Sequence, residues 1–429
     1  MNLERREAAL NAPQAPPTGI LIELRIDHQC PQCGAPAVIT ESDRLYRCDF
    51  CRVSSYLLPR DTTRYVLPHR VAAGQDLIYV PYWRFKGTVF TCGADGIRHR
   101  FTDESHRAVE DPVFPPSLGL RSQALRLRFV TPATAGRFLE PVGSRRQALD
   151  FFTRRQASRQ PPPIYLQTQV GESLSLIYAP VYRRGRHLYD GVLNRPLAHE
   201  AETFPPESHP GGPAGDHLRF VPALCASCGR DLEGRRDTLV LVCRHCDRLW
   251  RATAKGLEEI RTAAVPMPGT ADVFLPFWRI RAGVEGLPLA SFADLARLAN
   301  LPVAFEPGWE SRPLRFWTPA FKVRPATLLN LARAMTLAQP PVEPLEKLPR
   351  QELLPVTLPV GEAVESLKVV LAVVARPARR FHPRLAAVRI QPRSALLAFV
   401  PFTVGSHEYL QPGLKLAVNR NQLALTGYF

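Results

Sequence analysis

Residues 30–51 read CPQCGAPAVITESDRLYRCDFC, and residues 225–246 read CASCGRDLEGRRDTLVLVCRHC. Both are C-x2-C-x14-C-x2-C frames, set 195 residues apart. Each C-x2-C pair puts two thiolates on one tight turn. Two such turns joined by a short hairpin can close a tetrahedral all-thiolate site around a metal ion. Gly34 and Gly229 follow the second cysteine of each first pair. Glycine there lets the backbone turn back and aim its N–H groups at sulfur. Leu45-Tyr46-Arg47 and Leu239-Val240-Leu241-Val242 read as strands leading into the second turns. The candidate metal ligands are therefore Cys30, Cys33, Cys48 and Cys51, then Cys225, Cys228, Cys243 and Cys246.

CPQCG with CDFC, and CASCG with CRHC, resemble the knuckles of the zinc-ribbon superfamily. The resemblance covers about 30 residues per copy and implies one structural Zn²⁺ per ribbon. The second knuckles depart from the common form, because Arg52 and Asp247 stand where Gly is usual. Rival readings meet objections. Disulfides need an oxidising compartment. A thioredoxin-like centre needs one C-x-x-C, not two paired pairs. Haem attachment needs His directly after the second cysteine, and rubredoxin-like iron sites have a longer spacer. Four thiolates on one Zn²⁺ carry −2, so two filled sites lower the formal charge from +16 to +12. A closed site leaves no open coordination position for catalysis. Cys92 has no counterpart in the second half and reads as a buried free thiol.

The repetition continues beyond the cysteines. IYVPYWRFKG (78–87) is answered by VFLPFWRIRAG (273–283), LRFVTPA (127–133) by LRFWTPA (314–320), and LIYAPVY (176–182) by LAFVPFT (397–403). Asn194-Arg195 is matched with Asn419-Arg420. The expected fold is a β-rich α+β chain, a tandem duplication of a zinc ribbon followed by a β-rich module with a few helices. The expected segments are a flexible N-terminus at 1–20, ribbon one at 21–60, module one at 61–203, a linker at 204–217, ribbon two at 218–255 and module two at 256–429.

YVPYW, YAPVY, FLPFW and FVPFT share one plan, and Pro inside a strand marks an edge, a bulge or a strand start. Alternation puts Trp83 and Phe85 on one face, with Arg84 and Lys86 on a basic outer face or a base-stacking platform. Helices are expected at Ser144–Ser158, at Ser291–Leu301 behind a capping box with Asp294, and at Ala326–Pro341.

The formal charge of +16 and a pI near 9.8 invite a polyanion. Nearly all of it is Arg, beside abundant Ala, Pro and Leu, so composition bias supplies part of the charge. The ribbons are mixed in sign. From Lys368 to His407 there is no Asp or Glu, and Arg376, Arg379, Arg380 and Arg384 form the candidate patch for a polyanion or an acidic partner. The N-terminus has no apolar secretory segment, and the longest apolar run, VVLAVVA (369–375), is too short to span a membrane. A cytoplasmic protein is expected.

P-loop, G-x-G-x-x-G, H-E-x-x-H and G-x-S-x-G patterns are all missing from the sequence. His187 and Asp190 are the nearest thing to an acid–base pair. The reading is a non-enzymatic protein with two structural zinc ribbons, working as a protein-interaction adaptor or assembly factor. The alternative is a nucleic-acid binder using Arg-rich loops and aromatic strands. The whole chain is similar to bacterial proteins in which zinc ribbons precede PYW- or PFW-type strands, a likeness that implies metal binding and no particular activity.

Overall fold

The computed structural model describes residues 23–72, 74–185, 187–197, 209–253 and 255–424. The segment expected at 1–20, and 204–208 of the expected linker, lie outside them. The chain is 41% strand and 18% helix, a β-rich α+β fold.

The first cysteine frame lies among β1 (Arg25–Gln29), β2 (Pro36–Thr40), β3 (Leu45–Arg47) and β4 (Ser54–Pro59). There follow β5 (Thr63–Val66), β6 (Leu77–Gly93), β7 (Gly96–Arg107), helix α1 (Arg121–Ala124), β8 (Arg126–Phe129) and β9 (Arg137–Leu139). Then come α2 (Arg145–Ala157), β10 (Ile164–Arg184), β11 (His187–Asp190), β12 (Arg195–Pro196) and β13 (Gly211–Gly212). Strand β14 (Leu218–Pro222) leads into the second frame, which holds β15 (Val240–Cys243) and is followed by β16 (Arg248–Thr253) and β17 (Gly256–Glu259). The rest comprises β18 (Thr262–Ala264), β19 (Val273–Glu285), α3 (Phe292–Ala299), β20 (Phe316–Pro319), α4 (Pro325–Ala338), β21 (Glu343–Pro344) and β22 (Glu352–Leu353). It ends with α5 (Val360–Glu365), α6 (Leu367–Val374), α7 (Ala378–Phe381), β23 (Arg389–Val404), β24 (Glu408–Gln411), β25 (Leu416–Asn419) and α8 (Arg420–Ala424).

An eleven-stranded sheet and an eight-stranded sheet carry most of the strands. In the larger, β6 runs antiparallel to β10, β10 parallel to β5, and β5 antiparallel to β8. In the smaller, β19 runs antiparallel to β23, β23 parallel to β18, and β18 antiparallel to β21. On their other sides β6 pairs with β9 and β7, and β19 with β22 and β20. Registers agree as well. Pro81 faces Tyr178 and Trp83 faces Leu176; Pro276 faces Phe399 and Trp278 faces Leu397. The Ala108 N–H donates to the Pro81 carbonyl at 2.9 Å, and the Ala320 N–H to the Pro276 carbonyl at 2.9 Å.

Some of the matched sequences lie in different places. LRFVTPA forms β8, between β1 and β5, whereas LRFWTPA forms β20, beside β19. Asn194 is a left-handed turn residue before β12, whereas Asn419 ends β25.

The four strand prolines are not at edges or strand starts. Each lies mid-strand, where the partner on one side changes. β9 pairs with Ile78 and Tyr79 and β7 begins at Tyr82, so Pro81 falls in the gap. Pro276 falls between β22 at Phe274 and β20 at Phe277. Pro180 and Pro401 sit in the same kind of gap, between β5 and β11 and between β18 and β24. An N–H missing there costs no ladder bond.

The helices start as their caps dictate. The Ser144 side chain accepts from the Gln147 N–H, and the Ser291 side chain from the Asp294 N–H, both in capping boxes. VVLAVVA lies mostly within α6, whose residues are buried on nearly every side. The core around β19, β23, α4 and α6 also takes in Phe90 and Cys92 from β6 and Val170 from β10. The two sheets therefore share a core. Among the described residues no helix is long and apolar enough to cross a membrane.

Candidate metal centres and the charged seam between them

The four sulfurs of each frame converge to within 4.8 Å of one another. Cys30 and Cys51 sulfurs are 3.7 Å apart, as are those of Cys33 and Cys48. In the second frame Cys225–Cys246 and Cys228–Cys243 are each 3.5 Å apart. A tetrahedron with metal–sulfur bonds of about 2.3 Å has edges of about 3.8 Å, so four thiolates here fit Zn²⁺. These separations are far too long for disulfides. The donor set also suits a zinc ribbon, and each cluster could hold one metal ion.

Local backbone geometry builds both sites. Gly34 and Gly229 sit at φ of 72° and 71°, and their N–H groups donate to the Cys30 and Cys225 carbonyls. Arg52 and Asp247 adopt φ of 63° and 55° at the matching point of the second knuckles. The turn demands the left-handed conformation even where no glycine supplies it. The N–H of Cys51, the Tyr46 hydroxyl and the N–H of Phe50 hold the Cys48 thiol down to about 6. Burial raises the Cys225 thiol, but the N–H groups of Cys228 and Ser227 outweigh it and bring it to about 7. At these two positions the thiolate that a metal needs is favoured, while burial and the neighbouring thiols push Cys51, Cys228 and Cys246 upward. Cys92 lies apart, buried and free, its thiol pushed up to about 11 by burial.

Neither ribbon stands alone. The β1–β2 hairpin extends the eleven-stranded sheet through β8, while β14 pairs with β4 of the first ribbon. Leu45 and Tyr56 pack with Leu232, Leu241 and Trp250 around Cys225 and Cys243. The Tyr56 hydroxyl donates to the Thr238 carbonyl at 3.2 Å, and Arg236 pairs with Asp43 at 2.7 Å. The Leu239 N–H reaches the Val356 carbonyl at 2.7 Å, tying the second ribbon to the smaller sheet's module.

The basic outer face expected for Arg84 and Lys86 is instead buried. The Arg84 side chain is 1% exposed. It pairs with Glu41 from the first ribbon and forks onto Asp103, its Nε and Nη2 each donating at 2.8 Å. Lys86 donates to Glu41 at 2.8 Å. A platform for stacking bases is excluded there. Burial raises the Glu41 carboxyl, but Arg84 and Lys86 outweigh it and hold it at about 2. The sequence signal was missed because these partners lie 43 and 19 residues away. A cavity of about 60 Å³ beside them is lined by Glu23, Arg44, Lys322 and Glu362, where the first ribbon meets both modules.

Arg376, Arg379, Arg380 and Arg384 are all exposed, on α7 and its flanking turns. Among the described residues none of them pairs with a carboxylate; Arg376 donates to the carbonyls of Val373 and Ala375. Asp190 is buried, paired with Arg121 and accepting the N–H groups of Val192 and Leu193, whereas His187 is exposed. They are not brought together as an acid–base pair.

A groove of about 1520 Å³ runs between the first ribbon and the larger sheet, lined by Gln29, Val38, Asp49, Tyr79, Arg128 and Phe220 among others. It borders β2, the last strand of its sheet. Val38 on β2 is 46% exposed and Phe50 on the adjacent knuckle 70%. No family model matches the chain, and neither a curated protein nor a solved structure does.

Proposed function

We propose that the chain is a non-enzymatic zinc protein, a tandem duplication of a ribbon-plus-sheet unit, that serves as a protein-interaction adaptor. The matched strand order and proline register of the two sheets support the duplication. Eight thiolates in two closed sets support a structural role for two Zn²⁺ ions, one in each ribbon at the joint between the units. The observation that carries the adaptor reading is the place of β2 as the last strand of its sheet, beside the large groove, with Val38 on it and Phe50 on the adjacent knuckle both exposed. A groove beside an end strand, with exposed apolar side chains at its rim, is a surface on which an extended peptide can seat. The test is affinity purification of the zinc-loaded chain from its own cells, with and without the double change Val38→Asp and Phe50→Asp. Nuclease-resistant partners lost in the variant are expected. Partners that all vanish with nuclease would end the adaptor reading.

The second reading, nucleic-acid binding, draws on the exposed Arg376, Arg379, Arg380 and Arg384. Fluorescence anisotropy against single- and double-stranded DNA and RNA across a salt series tests it. Tight binding with a steep salt slope, lost in Arg379→Ala/Arg380→Ala, would favour it.

A further inference from the structure

The two sheets share a strand order and register, yet they treat the same basic pair in opposite ways. In the larger sheet Arg84 and Lys86 project from β6 toward two carboxylates of this chain, Glu41 and Asp103. Asp103 faces Lys86 across the β6–β7 ladder. The corresponding residues of β19 are Arg279 and Arg281, three and five positions after Pro276 as Arg84 and Lys86 follow Pro81. Across the β19–β20 ladder the last pair is Ile280 with Phe316, so Arg315 falls beside Arg281, where Asp103 stands in the other sheet. In the cysteine frame, the place of Glu41 is taken by Arg236, which turns away to Asp43. Both internal carboxylates are thus replaced by arginine.

The consequence is visible at one atom. The Arg84 Nε donates to Asp103 at 2.8 Å, whereas the Arg279 Nε is buried with no partner among the described residues. The Arg279 guanidinium lies over the Trp317 ring, its Cζ 5.9 Å from the ring centre. Arg281 and Arg312 are exposed, and Arg279 and Arg315 half-buried. No carboxylate pairs with any of the four among the described residues; the nearby Glu310 is taken by Arg297. Burial and the neighbouring Arg315 and Arg312 press the Arg279 guanidinium below its usual range, as uncompensated like charge does.

We infer that the Arg279–Arg281–Arg315 face of the smaller sheet is a docking site for an acidic peptide segment, whose carboxylates pair with the accessible guanidinium ends that no carboxylate among the described residues reaches. The occupant follows from charge complementarity and from the chain's own precedent, because a carboxylate fills this place in the other sheet. The inference names a partner chemistry for the adaptor reading and rests on it. It uses a different surface from β2, so the two fail separately.

The test uses the full zinc-loaded chain and a fluorescein-labelled peptide rich in Asp and Glu, with an oligothymidylate of equal charge as comparison. Arg315→Asp restores the internal carboxylate and closes the site. It is expected to keep two zinc ions and weaken the peptide at least about tenfold. Arg281→Gln, at an exposed position, gives the same loss should Arg315→Asp fail to fold. Arg379→Ala/Arg380→Ala leaves the peptide affinity unchanged. The inference is overturned by a wild-type chain that does not bind the peptide, by peptide affinity that survives both variants, or by variants that release only the oligothymidylate. The adaptor reading fails on its own when Val38→Asp/Phe50→Asp loses no partner.

Discussion

Glu41 sits between Arg84 and Lys86 as a carboxylate shared by two cations, buried under the first ribbon. It joins a turn of the ribbon to the central strand of the larger sheet. Glu41→Gln removes the charge and leaves two buried cations with only Asp103, so it should cost about 3–5 kcal/mol at neutral pH. Urea denaturation of the variant against wild type checks this.

The pH dependence of that contribution is fixed by its sign. The folded carboxyl lies at about 2, below a reference value of 4.5. The stabilisation is therefore fully present above about 4.5 and is lost as pH falls through the folded value near 2. Loss of stability at pH 5–6 should come instead from protonation of the metal-binding thiolates, which releases metal. Wild type and Glu41→Gln should then release zinc at the same pH, with a stability gap between them that is constant from pH 7 to 5. A gap that closes in that window would contradict this assignment.

Cys33→Ser or Cys228→Ser should take the zinc content from two ions to one, measured by inductively coupled plasma mass spectrometry. The second change should also be felt in the first ribbon. Leu241 and Trp250 pack against Leu45 and Tyr56, so melting the second ribbon exposes them. Hydrogen exchange at Tyr56 and its neighbours in β4 should rise in Cys228→Ser.

Arg52 and Asp247 hold left-handed conformations that glycine adopts freely. Arg52→Gly should stabilise the chain by about 1 kcal/mol, and Asp247→Gly by less, since Asp tolerates this conformation better than Arg. Chemical denaturation of the zinc-loaded proteins reads both values.

What was legible in the sequence was local. The two cysteine frames announce their convergence because each C-x2-C turn is set by adjacent residues. Ser144 and Ser291 announce helix starts through partners three residues on. The recurring strand proline was visible as a pattern, but its meaning was not. It depends on where two other strands end and begin. Arg84 and Lys86 misled for the same reason, because alternation names a face without saying what covers it. The apolar run in α6 gave no helical stripe, since a helix buried all round has none. The ribbons' embedding, with β1–β2 joined to one sheet and β14 crossing to β4, rests on pairings between distant segments.

The central claim is that two closed all-thiolate zinc sites hold the joint between the units. Zinc K-edge X-ray absorption on the purified chain, with the metal quantified, tests it most directly. The account predicts two zinc ions per chain, each with four sulfurs at about 2.3 Å and no lighter ligand. A nitrogen or oxygen scatterer in the first coordination sphere, or a single zinc per chain, would contradict it.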